Sequence, residues 1–264
     1  DIAALEKIIV AGDITPGETI LEIGPGRGAL TKYLLGAGAQ VVAVEIDPDM
    51  IEVLNEKFPT ELADGSLVIH QADVLDSDLQ SFRLREHEYK VIANIPYYIT
   101  GLILRRFLES EIQPSRMVLL VQKEVAERIV DGQEGGAKKK RSSRRVSKEN
   151  ILSLSVKVYG DVRYVTTVSA KSFSPAPKVD SAVIEISNIS KERLNQTGCN
   201  EKEFFTLIKR GFAQKRKTLV NNLKQGGYDQ DKAHAALEEL DLDVRVRAEV
   251  LTLDQWLGLI KNLK

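Results

Sequence analysis

The stretch TILEIGPGRGALTKYLLGAGAQVVAVEI, residues 19–46, decides the fold. Thr19 to Ile23 is a short apolar run ending at a glycine cluster, Ala29 to Leu35 carries helical spacing, and Gln40 to Ile46 is a second apolar run. Runs as continuous as these belong to strands covered on both faces, and a helix between two of them makes a parallel pair. Downstream the alternation continues. Pro48 sits where a helix over 49–58 would take its first turn; Ser66 to Ile69, Lys90 to Ala93 and Met117 to Val121 read as three more strands, with helices at Leu102 to Leu108 and Glu124 to Val130. Val162 to Val168 and Ala182 to Ile186 are β-branched and alternating, which suits antiparallel closing strands. The sequence therefore predicts an α/β protein with a Rossmann-like sheet, mostly parallel and closed by an antiparallel strand. After about residue 190 only helical periodicity remains, with Phe204, Phe205, Ile208 and Phe212 on one face. The expected division is a sheet domain over 1–188 and a small all-helical domain over 189–264. Residues 131–150, DGQEGGAKKKRSSRRVSKEN, read as a mobile loop.

Composition narrows the class. A chain of 264 residues allows one to two domains, and 43% hydrophobic with 28% charged residues is ordinary for a soluble globular protein. Cys199 is the only cysteine, which excludes a disulfide framework and fits a reducing, cytoplasmic setting. His70, His87 and His234 are scattered, so no metal site is expected. No apolar run reaches the roughly 18 residues of a membrane helix. The net charge of −1 argues against a nucleic-acid binder, but its distribution does not. Lys138, Lys139, Lys140, Arg141, Arg144, Arg145 and Lys148 form one acid-free cluster, and Lys209, Arg210, Lys215, Arg216 and Lys217 form a second. Local basic stripes on a neutral protein can track phosphates, although either cluster alone also suits a solvated face.

The chemistry begins at Glu22-Ile-Gly24-Pro-Gly26-Arg-Gly28. A strand that ends in closely spaced glycines lets backbone pass tightly under a ligand, with a helix N-terminus behind it. Glu45 closes the next strand, where a carboxylate can accept both hydroxyls of a ribose. Dinucleotides and S-adenosylmethionine share this geometry, so the glycines alone leave the choice open. Two features favour S-adenosylmethionine. The spacing is G-x-G-x-G, not the dinucleotide G-x-G-x-x-G, and Glu22 places an anion where a pyrophosphate would be repelled and a sulfonium welcome. Asp73, after the third strand, suits either an acceptor for the cofactor's adenine amine or an ordinary N-cap.

Asn94-Ile95-Pro96-Tyr97 follows the fourth strand. The amino nitrogen of adenine is a poor nucleophile because its lone pair is delocalised into the ring. Two acceptors aimed at its hydrogens, the Asn94 side-chain oxygen and the Ile95 carbonyl, would favour a pyramidal nitrogen whose lone pair points at a methyl group. Pro96 stiffens the turn, and Tyr97 can stack on an extruded base, a contact worth about 1–3 kcal/mol. A sulfonium is already an activated leaving group, so orientation and desolvation are the main requirements and no general base is needed.

These strings resemble the ribosomal RNA adenine N6,N6-dimethyltransferases, class I methyltransferases, and most closely their small-subunit enzymes. The likeness covers nearly the whole chain and rests on EIGPGRGALT, VEIDPDM, the aspartate of QADVLD, NIPYYIT, FSPAPKVDSAV at 173–183 and FAQKRKTLVNNL at 212–223. It implies that Glu22, Gly24, Gly26, Glu45, Ile46, Asp73, Val74 and Asn94 line an S-adenosylmethionine site. It further implies that Phe173 clamps the base opposite Tyr97, and that the helical domain with its FAQKRK segment lies against ribosomal RNA. The implied partner is small-subunit rRNA in an immature subunit, met by a monomer during ribosome biogenesis, with two adjacent adenines dimethylated. A large-subunit rRNA methyltransferase and a non-catalytic assembly or transcription factor are the competing readings. Two features depart from the family. Its upstream Gln-His-Phe-Leu segment does not occur in these 264 residues, and the basic 131–150 stretch is longer than expected.

Overall fold

The computed structural model describes residues 2–131, 148–173 and 177–263. In chain order the elements begin with α1 (Ile2–Gly12), β1 (Thr19–Ile23), α2 (Ala29–Gly36), β2 (Gln40–Glu45), α3 (Pro48–Lys57), α4 (Pro59–Asp64) and β3 (Leu67–Gln71). They continue with β4 (Tyr89–Asn94), α5 (Thr100–Leu108), β5 (Arg116–Gln122), α6 (Lys123–Val130), α7 (Ile151–Lys157), β6 (Asp161–Val168) and β7 (Ser181–Ser187). The last are α8 (Glu192–Asn195), α9 (Glu201–Gly211), α10 (Leu219–Gln225), α11 (Gln230–Glu239) and α12 (Leu253–Asn262).

The seven strands form one sheet in the order β3-β2-β1-β4-β5-β7-β6. The first five run parallel; β7 is antiparallel to both β5 and β6. The chain winds outward one way from β1 to β3 and the other way from β4 to β5, so the topological switch lies between β1 and β4. In open sheets of this kind ligands bind outside the carboxyl ends of the strands at that point. Here the register opens a crevice there. β1 pairs with β4 only from Thr19↔Tyr89 to Leu21↔Val91. Glu22 and Ile23 then continue with β2 alone, and Ile92 to Asn94 continue with β5 alone. The two central strands part at their carboxyl ends.

The core of the sheet unit joins Ile20, Val41, Ala43 and Val118 to Leu30 and Leu34 of α2 and to Leu54 and Phe58. Helix α1 has no counterpart among the expected helices. It buries Ala4, Ile8 and Ala11 in the same cluster, beside Ile92, Leu120 and Val183. Its sequence, IAALEKIIVAG, is apolar almost all round and gives little amphipathic contrast. The strand expected to run to Ile46 stops at Glu45, and Ile46 stands 63% exposed.

The chain divides into two compact units. One unit comprises Asp1–Ala126 and Asp161–Ile189, the other Glu127–Gly160 and Ser190–Lys264, so the described residues 127–131 and 148–160 cluster with the C-terminal helices. Buried polar contacts explain this assignment. Glu149 and Lys157, 6% and 5% exposed, form an ion pair at 2.8 Å. Ser153 Oγ donates to Glu149 Oε2 at 2.5 Å, and Lys157 Nζ also donates to the Asp131 carbonyl. Tyr159 OH then donates to Glu201 Oε1 of α9 at 2.8 Å. Removing one partner of a buried pair leaves an uncompensated charge, at a cost of about 3–5 kcal/mol. Periodicity carries no sign of such contacts. In the helical unit Trp256 is fully buried and stacks on Phe212 at a centroid separation of 5.6 Å.

Gly28 caps α2 with φ +68°, and a Cβ there would come within 2.5 Å of the Phe58 ring and 2.8 Å of Leu54. Gly28→Ala combines a left-handed penalty with overpacking. The expected loss is about 2–5 kcal/mol of unfolding free energy, measured as a lowered urea midpoint at unchanged slope.

Candidate functional site

Three turns meet the open end of the β1/β4 crevice. The first leaves β1. Gly24 and Gly26 hold φ of +62° and +53°, and a Cβ at either would meet nothing within 4 Å. The space over these two residues is open, whereas Gly28 is close-packed. The glycines therefore serve two purposes, a cradle at the front and helix packing behind. The second turn leaves β2. Glu45, 6% exposed, accepts at Oε2 from the Gly26 amide (3.1 Å) and at Oε1 from the amides of Ile46 (2.9 Å) and Asp47 (3.0 Å). Its carboxylate is thereby fixed at the edge of the cradle, and its oxygens retain lone pairs for a further donor. Beside it the exposed Ile46 side chain offers an apolar surface.

Glu22 departs from expectation. It is 1% exposed and accepts from Thr31 Oγ1 at 2.7 Å. Burial pushes its pKa up to about 8, opposed by the hydrogen bonds from Thr31 and aided by the charge of Glu45. Near neutral pH it is a carboxylic acid. The sequence suggested a standing anion at this position; burial instead favours the protonated form at neutral pH.

After β3, Asp73 is exposed, and its Oδ1 accepts from the Leu75 amide at 2.9 Å while its carbonyl takes the amides of Asp76 and Ser77. It closes a turn and caps no helix. Val74 beside it is buried.

The third turn leaves β4. Asn94 is the last residue of the strand, in register with Leu120, and its side chain is exposed with no hydrogen bond among the described residues. Ile95 is 1% exposed, its amide directed to the Leu120 carbonyl, so its side chain anchors the turn from below. Pro96 holds φ −54° and accepts the Ile99 amide at 3.1 Å. Tyr97 is half-buried, and its hydroxyl meets Ser181 Oγ at 2.8 Å, which tethers the ring to the start of β7. Thr100, buried beneath, donates to the Tyr97 carbonyl at 3.2 Å.

Phe173 lies on the β6–β7 connection, half-buried against the hydrophobic core of the sheet unit. That connection is closed by Asp180 Oδ1, which accepts the Ala170 amide at 3.0 Å. Consecutive residues thus serve both aromatics: Asp180 closes the loop bearing Phe173, and Ser181 holds Tyr97. Ser181 and Thr31 were not singled out from the sequence, although each lies inside a quoted string, FSPAPKVDSAV and EIGPGRGALT. Only a three-dimensional partner distinguishes such small hydroxyl residues from filler.

Of the basic clusters, Lys138, Lys139, Lys140, Arg141, Arg144 and Arg145 lie outside the described residues. In the helical unit, Lys209 and Arg210 occupy the last turn of α9, and Arg210 also lies over the Tyr228 ring at 5.4 Å. Lys215, Arg216 and Lys217 are exposed on the turn between α9 and α10. Asn222, 2% exposed, braces that turn by donating to the carbonyls of Gly211 (2.7 Å) and Gln214 (3.1 Å). Among the described residues no group of three or more His, Cys, Asp or Glu is placed to hold a metal ion.

Known proteins are similar to this chain in sequence and in fold. A family model described as ribosomal RNA adenine dimethylase matches residues 1–264. Relatives named ribosomal RNA small subunit methyltransferase A include one from Lactobacillus johnsonii, 40% identical over 100% of this chain and 87% of its own length. Another, from Dehalococcoides mccartyi, is 38% identical over 96% of this chain and 81% of its own. Among solved structures, a dimethyladenosine transferase from Plasmodium falciparum superposes with a TM-score of 0.76 at 27% identity, covering 98% of this chain and 94% of that one. The 23S rRNA methyltransferase ErmE, with a TM-score of 0.73 at 22% identity over 100% and 98% of the two chains, shares the fold. From the glycine cradle to the helical unit, this chain belongs to the ribosomal RNA adenine dimethylase family.

Proposed function

We propose that the protein transfers methyl groups from S-adenosylmethionine to the N6 nitrogen of adenines in small-subunit ribosomal RNA, dimethylating two adjacent adenines. The observation that carries this is the placing of the Asn94–Tyr97 turn and the open glycine cradle at one crevice, where β1 and β4 part.

The residues present fit an S-adenosyl group. The cradle over Gly24 and Gly26 is open, Glu45 is fixed with acceptor capacity to spare, Ile46 presents an apolar face, and the buried Glu22 can become an anion. When bound, S-adenosylmethionine supplies a methyl group on a sulfonium. Glu45 would hold the ribose hydroxyls, Ile46 and Val74 would cover the adenine of the cofactor, and Asp73 would accept from its amine. Asn94 Oδ1 and the Ile95 carbonyl would take the two amino hydrogens of the target base, held against Tyr97 and Phe173. The Ser181 tether fixes the Tyr97 ring, so its stacking direction is set before RNA arrives. For the second transfer the nitrogen has one hydrogen left and a methyl to house; the exposure of Asn94 and Pro96 leaves the rim of the turn free for it.

The substrate form is an immature small subunit, met in the cytoplasm by a monomer, with the basic clusters at 138–148 and 209–217 on RNA phosphates. No helix among the described residues is long and apolar enough to cross a membrane.

Labelled methyl transfer to small subunits lacking the modification tests the activity. Asn94→Ala should lower kcat by about two orders of magnitude or more, with cofactor affinity moved far less. Methylation of large subunits alone would favour the large-subunit reading, and RNA binding without transfer the assembly-factor reading.

Glu22 gives a pH signature. Its carboxyl is protonated below about pH 8 in the free protein, and the cofactor's ammonium group favours the ionised form, so binding expels a proton. Calorimetry with S-adenosylhomocysteine in buffers of different ionisation heat should show release of close to one proton at pH 6.5. Affinity should rise with pH toward 8 and then level off, and Glu22→Gln should abolish both effects.

The turn at Lys215, Arg216 and Lys217 has an electrostatic test. Replacing all three with Gln should reduce the slope of log affinity for RNA against log salt by about 2–3. An unchanged slope would remove this turn from the RNA interface.

A further inference from the structure

Directly after the Asn94–Tyr97 turn the chain presents apolar surface that the fold leaves uncovered. Tyr98 is 86% exposed and Leu102 is 53% exposed, while Ile103, Leu104 and Phe107 on the other side of α5 are buried. Tyr98 lies on the short turn that precedes α5 and Leu102 on the first turn of that helix, so two exposed apolar side chains flank its start, one residue beyond the ring assigned to the target base. Leu102 also borders a surface cavity of about 470 Å³, which it lines with Leu75, Asp76, Arg105, Arg106 and Glu109. None of the residues assigned to the cofactor lines it.

The charges in this cavity balance, and Arg105, Arg106 and Glu109 are already engaged. Glu109 Oε2 accepts from Arg105 Nε at 2.9 Å, and Arg106 donates from Nη2 to the Ser77 carbonyl. An incoming phosphate would meet Asp76 and Glu109 as well as the two guanidinium groups. A neutral ring with an apolar body and a polar edge fits better, since Leu75 and Leu102 share the lining with the two carboxylates. Among the described residues, the Arg106 Nε–H is buried behind this lining without an acceptor.

We propose that Tyr98, Leu102 and this cavity receive the base of the nucleotide adjoining the target adenine in the substrate RNA. The inference rests on the adenine methyltransferase reading given above. Extruding the target removes its neighbour's stacking partner and leaves an aromatic face in water. An exposed tyrosine one residue past Tyr97 covers that face, and the cavity takes the polar edge. Selection of the neighbouring base then comes from the Asp76, Arg106 and Glu109 groups, while Tyr98 supplies affinity that is blind to sequence.

The test uses the full chain and substrate hairpins carrying 2-aminopurine either beside the target or at it. Binding to the parent protein should quench the neighbouring fluorophore. Tyr98→Ala should restore its emission and weaken hairpin binding roughly five- to one-hundred-fold, whereas Tyr98→Phe should behave as the parent. Leu102→Asn should fall between. All three variants should bind S-adenosylhomocysteine as the parent does and still change the emission of a fluorophore at the target position. Parent-like affinity and quenching in Tyr98→Ala would overturn the proposal while leaving the methyltransferase reading intact. A parent protein that bound no hairpin and produced no response at the target would overturn both.

Discussion

The limited pairing of β1 with β4 is the constraint on which the rest depends. Three residue pairs hold the strands together, and beyond Leu21 and Val91 each turns to its outer neighbour. A side-chain period of two means that a slip of one residue would invert every face. It would expel Glu22 from its buried position and displace Asn94 from the rim. Because the strands separate where they do, the glycine turn and the Asn94 turn face the same opening although about 70 residues of chain lie between them. Burial of both strands on both faces keeps that register in place, with Leu21 and Val91 fully enclosed.

At the base of this opening is a carboxyl group whose burial raises its pKa. A carboxylate without a cationic partner at 1% exposure would be costly, and Glu22 avoids the cost by keeping its proton, with Thr31 as its hydrogen-bond partner. Glu45, the other acid of the site, solves the same problem differently, surrounded by the amides of Gly26, Ile46 and Asp47. Two acids on adjacent strands are thus prepared for different duties. One is neutral and able to answer a positive charge, and the other is held rigidly by main-chain donors and suited to neutral hydroxyls. The backbone of the glycine turn links them, since the Gly26 amide that helps fix Glu45 belongs to the open cradle.

On the far side, β7 has a similar organising part. Tyr97 depends on Ser181 for its orientation, and the loop that bears Phe173 is closed by Asp180. The antiparallel strand therefore does more than complete the sheet. Inserted between β5 and β6, it brings a hydroxyl to the aromatic that follows Asn94. The helical unit has its own reinforcement, a buried Lys157–Glu149 pair that ties α7 to the residues just before it, with Tyr159 reaching Glu201 of α9.

The sequence by itself determined the alternation of strands and helices, the cradle, the Asn94 turn and the family, because each is carried by neighbouring residues whose spacing has a local physical meaning. Apolar runs mark buried strands, close glycines mark a tight turn, and an Asn-Ile-Pro-Tyr string after a strand marks a stiff turn that ends in an aromatic. Tertiary structure decided what depends on partners distant in the chain. It raised the pKa of Glu22 by enclosing it, tied Tyr97 to a serine 84 positions away, seated the nearly uniformly apolar α1 on the sheet, and drew residues 127–131 and 148–160 into the helical unit. Burial and long-range hydrogen bonds depend on which surfaces meet, and periodicity in one segment carries no record of the surface that will cover it.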